Sequence, residues 1–305
     1  MPIASVVSSL NQSPVTHPAS DYAGNMLLRL IQISRPVLWI NTIGTSVIAM
    51  WLGGDLWRWD IIPFLIWVTF PFNLLIYGIN DIFDQETDNI NARKGGMEGA
   101  KISPREVVPI FVAVAVTNIP FLIYFAFTVP PAAMAWILAY GLFFYFYSSP
   151  PFRFKARPVW DSVSNTDYAF PLVFIPLAFG NEPLWFAAIG LMVWSMAKHT
   201  FDAVQDIPQD SEVGIKTTAV WLGTKGSAYW VGFWWLVSTI LFAMVNIPVA
   251  IVNAIIAGYL TIAIFRKPVP ETGRKLYRLS IAFPYIAGTV AGVQLVAAMF
   301  IGIYP

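Results

Sequence analysis

The chain has 305 residues, 57% of them hydrophobic and only 11% charged, with a formal net charge of +1. Its mean hydropathy of +0.64 excludes an ordinary soluble domain and marks an integral membrane protein, with the lipid bilayer as its surroundings. The lack of cysteine excludes disulfides and thiolate metal sites; the net charge points to no particular partner, and nucleic acid is not expected among them.

Residues 1–28 scatter Ser, Pro and Thr and carry no basic residue before Arg29, so a mobile tail is expected there rather than a signal peptide. Residues 29–305 are then one transmembrane domain. About nine apolar runs follow, at about 36–53, 61–80, 107–128, 131–149, 161–180, 184–203, 226–244, 248–265 and 279–303. Each is close to the roughly 17 to 25 residues that cross a bilayer. The fold class expected is all-α, a polytopic membrane protein of about nine transmembrane helices. With loops numbered on this scheme, 17 of the 18 Lys and Arg residues fall on one side and only Arg58 on the other. Short basic loops stay cytoplasmic. That places the amino terminus and the acidic loops inside, in a cell (plasma) membrane.

The second run ends in "YGINDIFDQETDNINARKGGMEG", residues 77–99. Asn80, Asp84 and Asp88 are spaced i, i+4, i+8, so a continuing helix puts them on one face, with Asp81 three residues before Asp84. Like charges so placed repel unless a cation sits between them. A second set, Asp202, Asp206 and Asp210, repeats the spacing at the end of the sixth run; there Pro208 is expected to break the helix and turn Asp210 off the face. The two sets lie on the same side, which hints at an internal duplication. One acid at a span end is usually solvated loop, but two sets matched in spacing and side argue for function. Oxygen donors, in a chain with two histidines, suit a hard cation, magnesium above all, bound through carboxylates and a substrate phosphate. Arg93, Lys94, Lys101, Arg153, Lys155 and Lys216 are candidates for holding the remaining phosphate charge.

These residues resemble the UbiA superfamily of membrane prenyltransferases. Its first signature, Asn-x-x-x-Asp-x-x-x-Asp, is matched by Asn80, Asp84 and Asp88. Its second, Asp-x-x-x-Asp, is matched by Asp202 and Asp206, or equally by Asp206 and Asp210. "YSSPPFRFK" (147–155) resembles the loop between the two aspartate regions, and "GIKTTAVWLG" (214–223) the segment after the second; the likeness runs over about residues 29–230. Quinone-pathway members usually follow the first motif with Arg-Pro and Ser-Gly, where this chain reads "NARKGGMEGAKIS". That wording, with "SRPVLWINT", "YGINDIFD" and "FRFKARPVWDSVSN", is similar to the lycopene elongases, which make fifty-carbon carotenoids.

The resemblance implies nine spans around a central lipid-open cavity capped by cytoplasmic loops. It implies magnesium held by Asn80, Asp84, Asp88, Asp202, Asp206 and Asp210 against the diphosphate of a prenyl donor such as dimethylallyl diphosphate. Asn80 would also bind substrate, and Asp81, Asp202 and Asp210 would act in catalysis. The acceptor implied is hydrophobic, lycopene best, with enzymes of the same pathway as candidate partners. Breaking the donor's bond leaves an allylic cation that a dry aromatic pocket would protect. Phe70, Phe72, Tyr77, Phe143, Phe144, Tyr145, Tyr147, Tyr168 and Phe170 lie at suitable depths, although each taken singly reads more readily as packing or lipid-facing. His199 either assists ionisation or packs, and Asp161 and Asp167 are proton acceptors or helix-end residues. No cation falls in the middle of a run, which fits an uncharged acceptor; Arg35, before Pro36, is the one that could reach inward. An aromatic or tetrapyrrole acceptor is the alternative in the same class. A transporter is the alternative in another, with helix breaks at Pro71, Pro120 or Pro171.

Overall fold

The computed structural model describes residues 19–85 and 101–301, and every regular element among them is a helix. In chain order these are α1 (Ala19–Ile33), α2 (Ile40–Leu52), α3 (Ile62–Trp67), α4 (Phe70–Phe83), α5 (Val107–Thr128), α6 (Pro131–Ser148) and α7 (Trp160–Val163). There follow α8 (Pro171–Ala178), α9 (Trp185–Ala203), α10 (Ile207–Glu212), α11 (Thr218–Ala243), α12 (Ile247–Arg266) and α13 (Pro270–Ile301). Helix α1 begins inside the stretch expected as a mobile tail. Arg29 fastens it, donating from Nε to Glu106 Oε1 at 2.7 Å and from Nη2 to the Lys101 carbonyl at 2.6 Å.

Six stretches among the described residues are long and apolar enough to cross a membrane: Trp59–Phe83, Pro104–Thr128, Pro131–Ser148, Thr218–Ala243, Ile247–Arg266 and Pro270–Ile301. About nine were expected. The other three runs are helical too, but α2 has only 13 residues. The 161–180 run is divided into α7, a 3₁₀ turn (Ser164–Ala169) and α8, and α9 ends in the polar Lys198, His199 and Asp202. Of the three prolines weighed as helix breaks, Pro71 and Pro171 stand at helix starts, whereas α5 runs on through Pro120.

The break between α3 and α4 frees carbonyls that water cannot serve inside a bilayer, where each unpaired group costs on the order of several kcal/mol. Side chains take water's place. Val68 O accepts from Thr42 Oγ1 at 2.6 Å and from Asn73 Nδ2 at 2.9 Å, and Thr69 O accepts from Asn73 Nδ2 at 2.8 Å. Pro71 O accepts from Asn118 Nδ2 at 2.8 Å, and Asn118 Oδ1 accepts from Trp67 Nε1 at 3.0 Å. The interruption thus ties α2, α3, α4 and α5 into one unit.

Two of the three apolar cores among the described residues are the larger ones. One, built by α2 to α6 and α8, is rich in rings, with Phe64, Trp67, Phe72, Phe125, Tyr140, Phe144, Phe170 and Phe174 buried together. The other joins α9, α11, α12 and α13 around Trp194, Phe201, Trp235 and Phe283. A Cβ on Gly190 would lie 2.9 Å from the Phe242 ring, so glycine is what lets α9 and α11 close on each other. Lipid gives helices no hydrophobic reason to associate, and polar pairs help to hold them. Asn253 Nδ2 donates to Thr239 Oγ1 at 2.7 Å and to Ser238 Oγ at 3.1 Å, joining α12 to α11.

Candidate active site

Helix α4 is apolar as far as Ile79 and then turns polar with Asn80 and Asp81, and Asp84 stands at its C-cap. Acids there face the negative end of the peptide dipoles, which is unfavourable unless cations meet them. Cations do. Arg35 Nη2 donates to Asp81 Oδ1 at 2.5 Å, and Lys155 is paired with Asp84. Both carboxylates are buried. Arg35 leaves the turn before α2 in the left-handed region, at φ 52°, and lays its guanidinium 4.5 Å from the centre of the Tyr77 ring. Asn80 Nδ2 donates to Ser148 Oγ at 2.8 Å, at the end of α6.

The segment from Ser149 to Val159 brings Lys155 across to α4. Two of its non-glycine residues, Arg153 at φ 40° and Val159 at φ 70°, hold the left-handed region, and such strain persists where the surroundings over-determine it. Burial pushes the Lys155 ammonium down to about 7, while the Asp81 carboxylate pulls the other way. Arg153 itself is exposed.

The second acidic set leaves α9. Asp202 Oδ1 accepts from Ser280 Oγ of α13 at 2.5 Å, and its Oδ2 is paired with Lys198 one turn earlier. The helix was expected to break at Pro208, and the break comes sooner. Val204–Asp206 form a 3₁₀ turn, Asp206 takes the N-cap position of α10, and Asp210 lies within α10. The cause is steric: a proline ring clashes with the carbonyl four residues before it, here that of Val204. The regular four-residue face therefore ends after Asp202.

Helix α6 links the two sets. Tyr147, next to the Ser148 that receives Asn80, sets its ring edge-on to His199 with centroids 6.0 Å apart. The carboxylates of Asp161, Asp167 and Asp210 all act on the Tyr147 phenol. His199 Nε2 lies 3.6 Å from Asp161 Oδ2 rather than on the second motif. Asp161 caps α11: both of its oxygens accept from Thr218 N at 3.0 Å, and the Thr218 hydroxyl donates to Oδ1. Of the two roles considered for Asp161, the structure gives it the helix end.

Lys101 and Lys216 are exposed, and the first is engaged through its carbonyl. Asp88, Arg93 and Lys94 lie outside the described residues. Among the described residues no three carboxylates or histidines form a ready-made metal cluster. Of the rings expected in the pocket, Phe72, Tyr77, Phe144 and Phe170 are buried in the aromatic core, and Phe143 and Tyr168 pack against it. Phe70 belongs instead to the cluster around α1 and α5, and Tyr145 packs edge-on to Phe146. Tyr140 was missed although it stacks on Phe72 at 4.2 Å. The four-residue spacing of Trp136, Tyr140 and Phe144 was the signal that could have found it.

The model of the UbiA prenyltransferase family matches residues 42–300. The chain belongs to this family. It is similar to the lycopene elongase/hydratase of Halobacterium salinarum, at 35% identity over 228 residues, 73% of this chain and 81% of that one. Against the protein of the same name from Haloferax volcanii it is 33% identical over 242 residues, 77% of this chain and 78% of the other. The Corynebacterium glutamicum lycopene elongase/hydratase is 29% identical over 279 residues, 88% of this chain and 97% of that one. A UbiA homologue from Archaeoglobus fulgidus, solved with DMAPP and Mg2+, shares the fold with a TM-score of 0.61 at 18% identity, covering 86% of this chain and 99% of that one. Membership makes the protein a membrane prenyltransferase, and the transporter alternative falls away.

Proposed function

We propose that this prenyltransferase moves a dimethylallyl group from its diphosphate to an end of lycopene, with its charged rim on the cytoplasmic side of the cell membrane. The observation that carries the reading is a juxtaposition. A rim of paired charges, Arg35–Asp81, Lys155–Asp84 and Lys198–Asp202, stands over an interior of buried rings. Such a surface suits a substrate that is an anion at one end and a hydrocarbon at the other. The names of the three curated relatives support the acceptor.

The donor set fits magnesium. Its atoms are oxygen throughout, and two of its members, Asp84 and Asp202, already draw ammonium groups to themselves. Asn80, Asp84, Asp88, Asp202, Asp206 and Asp210 would hold the ion, which when bound neutralises the diphosphate as charge gathers on it. Lys155 and Arg153 hold the donor's remaining negative charge from the loop. When the C–O bond breaks, its electron pair goes to the diphosphate. The ring faces of Tyr77, Phe72, Phe144 and Tyr168 stabilise the allylic cation and exclude water from it. The terminal double bond of the acceptor then supplies the pair for the new C–C bond, and the tertiary cation left on the acceptor is discharged by loss of a proton or capture of water. Arg35, the inward cation that an acidic acceptor would need, is engaged by Asp81 and Tyr77.

Membranes bearing the protein, given Mg2+, dimethylallyl diphosphate and lycopene, should release pyrophosphate and yield carotenoid heavier by prenyl units. Hydroxybenzoate should give no adduct. Prenylated hydroxybenzoate with lycopene untouched would overturn the carotenoid assignment. Absence of pyrophosphate release with any allylic donor would overturn prenyl transfer.

A further inference from the structure

Where α12 ends and α13 begins, the chain gathers Arg266, Lys267, Arg274, Lys275 and Arg278 around a single acid, Glu271. All five cations are exposed, and none of them enters an ion pair among the described residues. Other cations of this protein are engaged: Arg29 meets Glu106, Arg35 meets Asp81, Lys155 meets Asp84 and Lys198 meets Asp202. The turn that carries the five is built firmly. Thr272 Oγ1 donates to the Lys267 carbonyl at 2.8 Å, and Lys267 N donates to Ala263 O at 3.1 Å. Leu276 and Leu279 pack against the second core, which leaves Arg274, Lys275 and Arg278 facing outward. A groove of about 190 Å3 lies here between the two helices, with Lys267, Lys275 and Glu271 beside Ala263 and Leu276. Further into the bilayer along the same helices, Ile262, Phe265 and Ile281 are exposed.

A bias of Lys and Arg toward one side of the membrane needs no ligand. It does not explain five unpaired cations on one turn, beside a groove whose remaining wall is apolar. Like charges so gathered repel one another unless an anion lies among them. A phospholipid answers both halves of the surface. Its phosphodiester meets the ammonium and guanidinium groups at headgroup level, and its acyl chains lie along Ile262, Phe265 and Ile281. A headgroup hydroxyl donates to Glu271. A free phosphate would use the charges and leave the apolar wall bare. We infer that the turn between α12 and α13 docks an anionic phospholipid of the surrounding leaflet, one with a hydroxyl-bearing headgroup such as phosphoglycerol.

The docked lipid stands behind the second acidic set. Gly273, between Glu271 and Arg274, is so close to the 3₁₀ turn after α9 that a Cβ would lie 3.1 Å from Val204 Cγ1 and 3.2 Å from Gln205 N. Seven residues on, Ser280 Oγ donates to Asp202 Oδ1. Lipid that fastens the base of α13 therefore steadies Asp202 from outside the site. Its effect on turnover rests on the prenyl-transfer reading above; the docking itself does not.

The test uses the full chain, purified in a nonionic detergent and titrated with phosphatidylglycerol, phosphatidylcholine or phosphatidylethanolamine. Native mass spectrometry counts the lipid retained, and the unfolding temperature is followed alongside. Phosphatidylglycerol should be retained and raise that temperature, and the two zwitterionic lipids should do neither. In Lys267→Gln/Arg274→Gln/Lys275→Gln the half-saturating phosphatidylglycerol should rise about 100-fold, about fivefold for each charge removed. Lys267→Arg/Lys275→Arg should keep the native value. If the triple variant does not fold, the single variants decide at about fivefold each. Equal retention of the zwitterionic lipids, or native affinity in the charge-removed variants, overturns the proposal. Displacement of the lipid by an equal concentration of inorganic pyrophosphate overturns it too and gives the patch to a soluble diphosphate. A protein that retains phosphatidylglycerol in this pattern but releases no pyrophosphate from any allylic donor upholds the docking and overturns the prenyl-transfer reading alone.

Discussion

Arg35 Nη2 stands 2.5 Å from Asp81 Oδ1 while the same guanidinium covers the Tyr77 ring at 4.5 Å. One side chain thus joins the turn before α2 to the last turns of α4. Arg35→Ala leaves a buried carboxylate without its guanidinium, a loss of about 3–5 kcal/mol. Adding Asp81→Asn should restore much of that stability, as read by thermal unfolding in detergent. The choice of acceptor should not change in Arg35→Ala, because Arg35 is already engaged by Asp81 and Tyr77. A double variant no more stable than Arg35→Ala would show that the pair is not what Arg35 supports.

Asn in place of Asp84 or Asp206 should leave less than about a tenth of the turnover in a protein that still inserts. Loss of a metal ligand exceeds the roughly 10- to 100-fold effect of a supporting partner. Ser280→Ala, which removes only a donor to Asp202, should fall within that supporting range. Turnover above about a tenth in the aspartate variants counts against metal ligation.

Lys155 gives a pH dependence whose sign follows from its burial. Its ammonium titrates at about 7 instead of the ordinary 10.5, so it is charged below that point and neutral above it. On the proposed reading its hold on the donor should therefore be present at acid pH and fade as pH rises. KM for the prenyl diphosphate should climb about tenfold between about pH 6 and 8.5, the worth of one charge-assisted hydrogen bond, with the acceptor's KM flat. Lys155→Arg, which stays charged, should abolish the rise. Stability runs the other way. Between the two values the unfolded chain holds the proton and the folded one does not, so stability is lost as pH falls from 10.5 and levels off below about 7. A native KM that ignores pH across this window removes Lys155 from donor binding.

Asp161→Asn should cost about 0.5–2 kcal/mol, the range for losing a helix cap, and leave both KM values alone. Its oxygens serve Thr218 at the start of α11. A fall in kcat beyond about tenfold at unchanged fold would instead give Asp161 a part in the chemistry.

Local spacing carried the acids and the fold class. Asn80 and Asp84 are four residues apart on one helix, and periodicity reports that directly. The pairing of Asp84 with Lys155 joins residues 71 apart in the chain, and nothing local encodes it. Asp161 and Asp167 look alike in the chain, six residues apart; what separates them among the described residues is that Thr218 reaches one and a backbone N–H the other. Tyr140 lies in an apolar run where a tyrosine reads as lipid-facing, and only the fold turns it inward. The early break before Pro208 was readable in kind but not in place, because the proline acts on a carbonyl one turn upstream.

Ser280 lies on α13, and Gly273 of the same helix comes so close to Val204 that a Cβ there would sit 3.1 Å from its side chain. The helix that steadies Asp202 is thus the last of the described helices in chain order. A chain released before Ser280 already carries the first acidic set whole but leaves Asp202 without its hydroxyl partner. On the prenyl-transfer reading, removal of α13 should therefore disable the second acidic set while leaving the first in place.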